Sequence, residues 1–159
     1  MIHHVSLGTN DLKRAKAFYD PLMSLIGFRL LKLSDNAAHY GASDIVFSLE
    51  TPVDGLRATP GNGAHIAFHA PDRKTVRRFH EAAIANEGTD EGRPGIRGNY
   101  NANYYGAFVR DLDGDKIEAV TYTARLRSTP SLAPPIAWRS QTTKTDRYVE
   151  ETSRCDPRQ

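Results

Sequence analysis

The chain has 159 residues, of which 39% are hydrophobic and 25% charged, and this composition predicts one globular domain with its own core. The net charge is only +2, with acids and bases intermixed, and no apolar run reaches the roughly 20 residues that span a bilayer, so we expect neither a nucleic-acid nor a membrane partner. The single cysteine excludes an internal disulfide and a cysteine-rich metal cluster, and the first residues lack a signal-peptide pattern, which together favour a cytoplasmic protein.

Residues 2–53 predict a strand, a helix and two or three further strands. Apolar and polar residues alternate from Ile2 to Gly8, and the sequence TND then supplies a helix N-cap before apolar residues at helical spacing. Gly27 is placed to end this helix. The clearest later strand is DIVFSLE, residues 44–50, and residues 54–63 are rich in glycine and proline and predict a linker.

The same pattern begins again after the linker. An ungapped shift that pairs His4 with His65 also pairs Phe18 with Phe79 and Gly27 with Gly88, which indicates an internal repeat. Asp72 is placed to cap the second helix. Residues 92–122 then predict a loop rich in glycine and tyrosine, followed by two strands around the turn DLDGD. That turn is a hairpin and not a calcium loop, because its glycine is two positions too early for an EF-hand.

The predicted fold is therefore α+β, with a first module at residues 2–53 and a second module at residues 64–122. Each module has a strand, a helix and about three more strands. Residues 123–159 contain four prolines and no sustained periodicity, and they predict an irregular C-terminal extension.

Strand alternation places three ionisable side chains on the sheet faces that the helices do not cover. Val5 and Ile66 must face the helices, so His4 and His65 face away from them, and Glu118 does the same in the last strand. Two imidazoles and one carboxylate form a ligand set for Fe(II), Mn(II), Ni(II) or Zn(II). A single histidine at a strand start is more often a surface or hydrogen-bonded structural residue, so the prediction depends on the three occurring together.

These motifs resemble the vicinal oxygen chelate superfamily, which includes glyoxalase I, bleomycin-resistance proteins and extradiol dioxygenases. The resemblance rests on a histidine in the first strand, on GAHIAF opening the second half and on DLDGDKIE near the end, and it covers about residues 2–122. It implies two βαβββ modules that form a curved mixed-sheet cleft, with the helices outside and a divalent metal at the base of the cleft. On this resemblance, His4, His65 and Glu118 fall on metal-ligand positions.

One position departs from the family pattern. Glyoxalase-like members carry a second glutamate in the last strand of the first module, where this chain has Ser48. A neutral hydroxyl is a poor substitute for an anionic ligand, and Glu50, on the same face one pleat along, is the nearest replacement. The chemistry also needs a general base, for which His69 and Glu50 are the ionisable candidates on the cleft face of their strands, and Ser48 is expected as a substrate contact. The remaining expected substrate contacts lie before the penultimate strand: Arg97, Tyr100, Asn103 and Tyr104.

Two functions stay open on this reasoning. The first is a metal-dependent lyase, isomerase or ring-cleaving dioxygenase that chelates two adjacent oxygens of a small molecule. The second is a metal-free protein that binds or sequesters a small molecule, as bleomycin-resistance proteins do. A weaker third interpretation is an assembly component that docks through its C-terminal extension. The sequence also leaves open whether the cleft is built within one chain or across a homodimer.

Overall fold

A computed structural model describes residues 2–123 and confirms the α+β class with two βαβββ modules. The first module contains β1 (Val5–Gly8), α1 (Leu12–Leu25), β2 (Arg29–Leu33), β3 (Ala37–Gly41) and β4 (Phe47–Glu50). Its strands lie in the order β1-β4-β3-β2, with β1 parallel to β4 and the other pairs antiparallel.

The second module repeats this arrangement. It contains β5 (Ile66–His69), α2 (Arg73–Ala85), β6 (Thr89–Ile96), β7 (Tyr105–Arg110) and β8 (Lys116–Thr121). Its strands lie in the order β5-β8-β7-β6, again with one parallel pair, β5 and β8. The internal repeat inferred from the sequence is therefore a repeat of topology as well.

Both helices begin where the sequence predicts, and α1 also ends there. The Asp11 side chain accepts a hydrogen bond from the Arg14 amide, and the Asp72 side chain accepts one from the Thr75 amide. After α1, Gly27 has a φ of 86°, a left-handed conformation that favours glycine. Each helix buries one face against its own sheet, and α1 also contacts α2.

Two strand boundaries differ from the prediction. The strand predicted over residues 44–50 begins only at Phe47, because the preceding residues form a tight connection that brings the Asp44 carbonyl against Gly41. Residues 92–96, predicted as loop, form the second half of β6. Pro94 and two glycines are tolerated there because β6 is an edge strand with two register shifts.

Polar contacts join the modules beside their shared core. The Tyr19 hydroxyl of α1 donates to the buried Asp111 carboxylate in the turn between β7 and β8, at 2.7 Å. In the same turn, Asp113 accepts hydrogen bonds from Thr9 and Asn10. Phe47 of β4 packs edge-on against Phe68 of β5, with ring centroids 5.2 Å apart. These contacts hold β1, α1 and the β7–β8 turn together.

The C-terminal extension predicted for residues 123–159 lies, apart from residue 123, outside the described residues. Within residues 2–123, neither helix has the length and apolar character needed to cross a membrane.

Candidate functional site

A cleft of about 1220 Å³ opens on the face of the second sheet that α2 does not cover. Glu118 of β8 lies at its base with a side chain that is only 1% exposed, and His65, just before β5, lies beside it. The His65 Nε2 atom is 3.5 Å from Glu118 Oε2, and the Tyr104 hydroxyl donates to Glu118 Oε1 at 2.6 Å. The structure therefore brings together two of the three predicted metal ligands and one predicted substrate contact.

Gly106 of β7 makes room for the Glu118 carboxylate. A Cβ atom at this position would lie 2.5 Å from Glu118 Oε1 and 3.1 Å from the Tyr104 ring. Real Cβ atoms do not approach other atoms so closely, so any larger residue would displace the carboxylate or the tyrosine. The position of Glu118 thus depends on a neighbouring strand as well as on its own.

The Glu118 carboxylate is only partly satisfied by hydrogen bonds. Its Oε2 atom is buried and has no hydrogen-bond partner, since the contact with His65 lacks hydrogen-bond geometry. Burial raises the pKa of Glu118, although the Tyr104 hydroxyl and the nearby charges of His65 and Arg97 oppose this rise. Burial and the bond to Glu118 also raise the pKa of Tyr104, which keeps its hydroxyl a donor.

An unbonded carboxylate oxygen facing an imidazole nitrogen suits a divalent metal, which would neutralise the buried charge. His65 and Glu118 fit such an ion as two of its ligands. Within residues 2–123, however, no group of three or more His, Cys, Asp or Glu side chains is arranged to hold a metal. A complete set of protein ligands would therefore need a contribution from outside this cleft.

His4, the third predicted ligand, precedes β1 in the other sheet. It is exposed, and its Nδ1 atom lies 3.0 Å from Nδ1 of His3. His4 and His65 each come directly before the first strand of their module, as the repeat predicts.

The open face of the first sheet carries a second set of polar side chains. Ser6, Ser48 and His39 form one row across β1, β4 and β3, in which His39 Nδ1 contacts Ser48 Oγ at 2.7 Å. One pleat along, the Glu50 carboxylate accepts a hydrogen bond from Ser6 at 3.1 Å. Both Glu50 and Ser48, predicted as a base and a substrate contact, therefore lie in the first module.

The equivalent row in the second module is Ala67, Glu118 and Phe108. Ser48 thus occupies the position in its sheet that Glu118 occupies in the other. In the same way, His39 is the counterpart of Phe108. The duplicated framework carries a carboxylate in one module, and a hydroxyl with an adjacent imidazole in the other.

The remaining predicted residues divide between the cleft and its surroundings. Arg97 and Tyr100 line the cleft with Tyr104. Asn103 is exposed. Its backbone amide donates a hydrogen bond to the Asn101 side chain at 2.8 Å, which stabilises the turn before β7. His69, the other predicted base, is exposed at the end of β5 and is not among the residues that line the cleft.

Sequence reasoning missed three residues of these faces: His39, Gly106 and Phe108. Alternation in AAHYG, residues 37–41, could have placed His39 on the open face of the sheet, because its neighbours Ala38 and Tyr40 point to the buried face. Gly106 and Phe108 had no such signal, because their contacts with Glu118 depend on the register between β7 and β8.

A comparison with protein families matches residues 1–119 to the model described as glyoxalase/bleomycin resistance protein/dioxygenase superfamily. Among solved structures, the chain is 38% identical to a glyoxalase/bleomycin resistance protein from Albidiferax ferrireducens T118, with a TM-score of 0.66 over 74% of this chain and 94% of that one. No curated protein matches the chain significantly.

Two more distant structures share the fold. Lactoylglutathione lyase from Agrobacterium tumefaciens is 22% identical, with a TM-score of 0.52 over 76% of this chain and 92% of that one. The fosfomycin resistance protein FosX from Mesorhizobium loti is 19% identical, with a TM-score of 0.56 over 76% of this chain and 90% of that one. At these identities the likeness concerns the fold alone.

Proposed function

Because the chain belongs to the glyoxalase/bleomycin resistance protein/dioxygenase superfamily, we propose that it is a divalent-metal-dependent enzyme acting on a small molecule with two adjacent oxygens. The reaction class is that of a lyase, an isomerase or a ring-cleaving dioxygenase. The observation that carries the proposal is the buried Glu118 carboxylate, whose Oε2 atom has no hydrogen bond and faces His65.

His65 and Glu118 would hold the ion, with His4 as the third ligand. When bound, Fe, Mn, Ni or Zn supplies a Lewis acid that stabilises negative charge on chelated substrate oxygens. The Tyr104 hydroxyl fixes the Glu118 carboxylate by occupying its other oxygen, so that Oε2 stays turned toward His65. His69 and Glu50 are the candidates to accept a substrate proton, and Ser48 and Asn103 stay candidates for substrate contacts.

We further propose that two copies of the chain complete the site in a homodimer. His4 and Ser48 belong to the first module and the His65–Glu118 pair to the second, while the described residues bring no three ligands together. A second copy would supply the first-module face opposite the cleft of the second module.

The cytoplasm is the compartment that the single cysteine favours.

Metal analysis tests the enzymatic proposal. Protein purified without chelator should contain nearly one metal ion per chain by plasma mass spectrometry, and His65→Ala should lose it. His69→Ala is the matched control, because it removes a histidine four residues away at the other end of β5 and should keep the metal. Bound iron would indicate oxygen chemistry, whereas nickel or zinc would indicate proton transfer.

A metal-free binding protein is the second candidate function. The neutral Ser48 at the position equivalent to Glu118 favours it, because the first module then lacks a buried carboxylate. Metal far below one ion per chain in the wild type, unchanged in His65→Ala and with unaltered circular dichroism, would contradict the enzyme and favour the binder.

A further inference from the structure

The Arg97 side chain is held in the cleft by an aromatic ring and a backbone carbonyl, and not by an ion pair with an acid. Its guanidinium lies over the Phe108 ring, 5.4 Å from the centroid, and donates to the Arg93 carbonyl at 2.8 Å. A Cβ atom at Gly92 or Gly95 would come within 3.1 or 3.2 Å of the guanidinium nitrogens, so these two glycines leave the space that it occupies. Such a cradle fixes the direction of a side chain that is normally mobile.

Arg97 forms no ion pair with a carboxylate among the described residues, although its charge acts on Glu118 across the cleft. Glu91, the other acid of the cleft, already pairs with Arg110 and Lys116. A guanidinium has five N–H donors, and among the described residues that of Arg97 makes one hydrogen bond, so most of its donors are available to a ligand.

An aromatic surface adjoins this cation. Tyr104 packs edge-on against both Tyr100 and Tyr122, with ring centroids 5.1 Å apart in each pair. Tyr100 and Tyr122 are 68% and 57% exposed, although all three rings line the cleft. Exposed clustered aromatic rings at a cleft are typical of a surface that a flat apolar ligand covers.

We propose that the ligand of this cleft is a small aromatic carboxylic acid, whose carboxylate binds Arg97 and whose ring packs on Tyr100 and Tyr122. The inference rests on the proposed function for the location of the site, and it adds the substrate class. A planar carboxylate matches the fork of guanidinium donors, whereas a cationic ligand would meet Arg97 and Lys116 at the same cleft.

Benzoate, benzamide and cyclohexanecarboxylate are the probes for this inference. They are titrated into the full chain, as purified and after removal of metal with EDTA, while the backbone amide signals of Arg97 and Tyr100 are followed by NMR. We expect benzoate to bind about tenfold more tightly than the neutral benzamide, and more tightly than the non-aromatic acid, in both preparations.

Two arginine variants test whether the preference for benzoate over benzamide comes from Arg97. Arg97→Gln should bind benzoate and benzamide equally, whereas Arg93→Gln should keep the preference. Arg93 is a matched control because it also lines the cleft, is exposed and already pairs with Asp90. Tyr100→Ala should weaken benzoate and benzamide by a similar factor, because it removes the surface for the ring and leaves the cation.

Equal affinity for benzoate and benzamide in the EDTA-treated protein would overturn the inference, because any preference before treatment would then come from the metal. So would an Arg97→Gln variant that behaves like Arg93→Gln. The two proposals fail separately. Protein without metal that still prefers benzoate through Arg97 retains the anion subsite and loses only the enzymatic proposal.

Discussion

Gly106 is a single position at which one added methyl group tests the geometry of the cleft. Gly106→Ala would place a Cβ atom against Glu118 Oε1, so we expect the free energy of unfolding to fall by about 1–3 kcal/mol and metal content to fall with it. Gly98→Ala, where a Cβ would meet no atom within 4 Å, should change stability by less than about 0.5 kcal/mol. Urea unfolding measures both, and equal effects of the two changes would contradict this account of Gly106.

Asp115 governs part of the response of the protein to pH. Burial is the main cause that raises its pKa, and the Asp111 charge raises it further. The folded state therefore binds this proton more tightly than the unfolded state, so the contribution to stability is greatest at acidic pH and is lost as pH rises through the raised pKa.

Asp115→Asn should remove this dependence while keeping the shape of the side chain. We expect the variant to melt at a higher temperature than wild type at pH 7, with the difference shrinking toward pH 3, as measured by thermal unfolding across that range. Asp35→Asn, at an exposed position, is the control and should follow the wild type at every pH. An Asp115→Asn variant with the same pH profile as wild type would show that this carboxyl is not responsible.

Individual site residues differed in how well the sequence could predict them. His65 and Glu118 were predictable as neighbours, because strand alternation and the repeat fix which face each occupies. The bond from Tyr104, just before β7, to Glu118 of β8 and the contact of His39 with Ser48 were not predicted, since both connect residues of neighbouring chain segments in the sheet. Which residues meet across strands depends on register, and register follows from the packing of the whole sheet.

At the scale of secondary structure, α2 offers a direct test of a feature that the sequence predicts. Asp72→Ala removes the side-chain acceptor that bonds the Thr75 amide at 2.7 Å, and we expect it to lower the free energy of unfolding by about 0.5–2 kcal/mol. Asp72→Ser should recover most of that loss, because a serine hydroxyl also accepts at an N-cap. Chemical denaturation of the three proteins gives the comparison, and an equal loss in both variants would mean that the cap contributes little.

Helices were easier to predict than strands in this chain. Both helices carry a capping aspartate and apolar residues at helical spacing, which are local signals. The second half of β6 was predicted as loop, because proline and glycine weaken a strand in isolation. Its pairing with β7 makes it a strand, and local composition carries no information about that pairing.

At the scale of the whole molecule, the proposed homodimer predicts that two defective chains complement each other. His4→Ala and Glu118→Gln should each bind little metal alone. When they are mixed under conditions that allow subunit exchange, hybrid dimers contain one intact site, and metal should return to about a quarter of the wild-type content. If the site forms within one chain, mixing should restore nothing, and plasma mass spectrometry distinguishes the two results.

The equivalence of Ser48 and Glu118 has a consequence for how such a protein changes over time. Gene duplication produces two copies of one scaffold, and each copy keeps the topology through its own core while its open face is free to diverge. Here one descendant has an acid at the shared position and the other a hydroxyl beside an imidazole. A substitution on one open face can therefore change the chemistry of that module, while its core and the face of the other module stay unaltered.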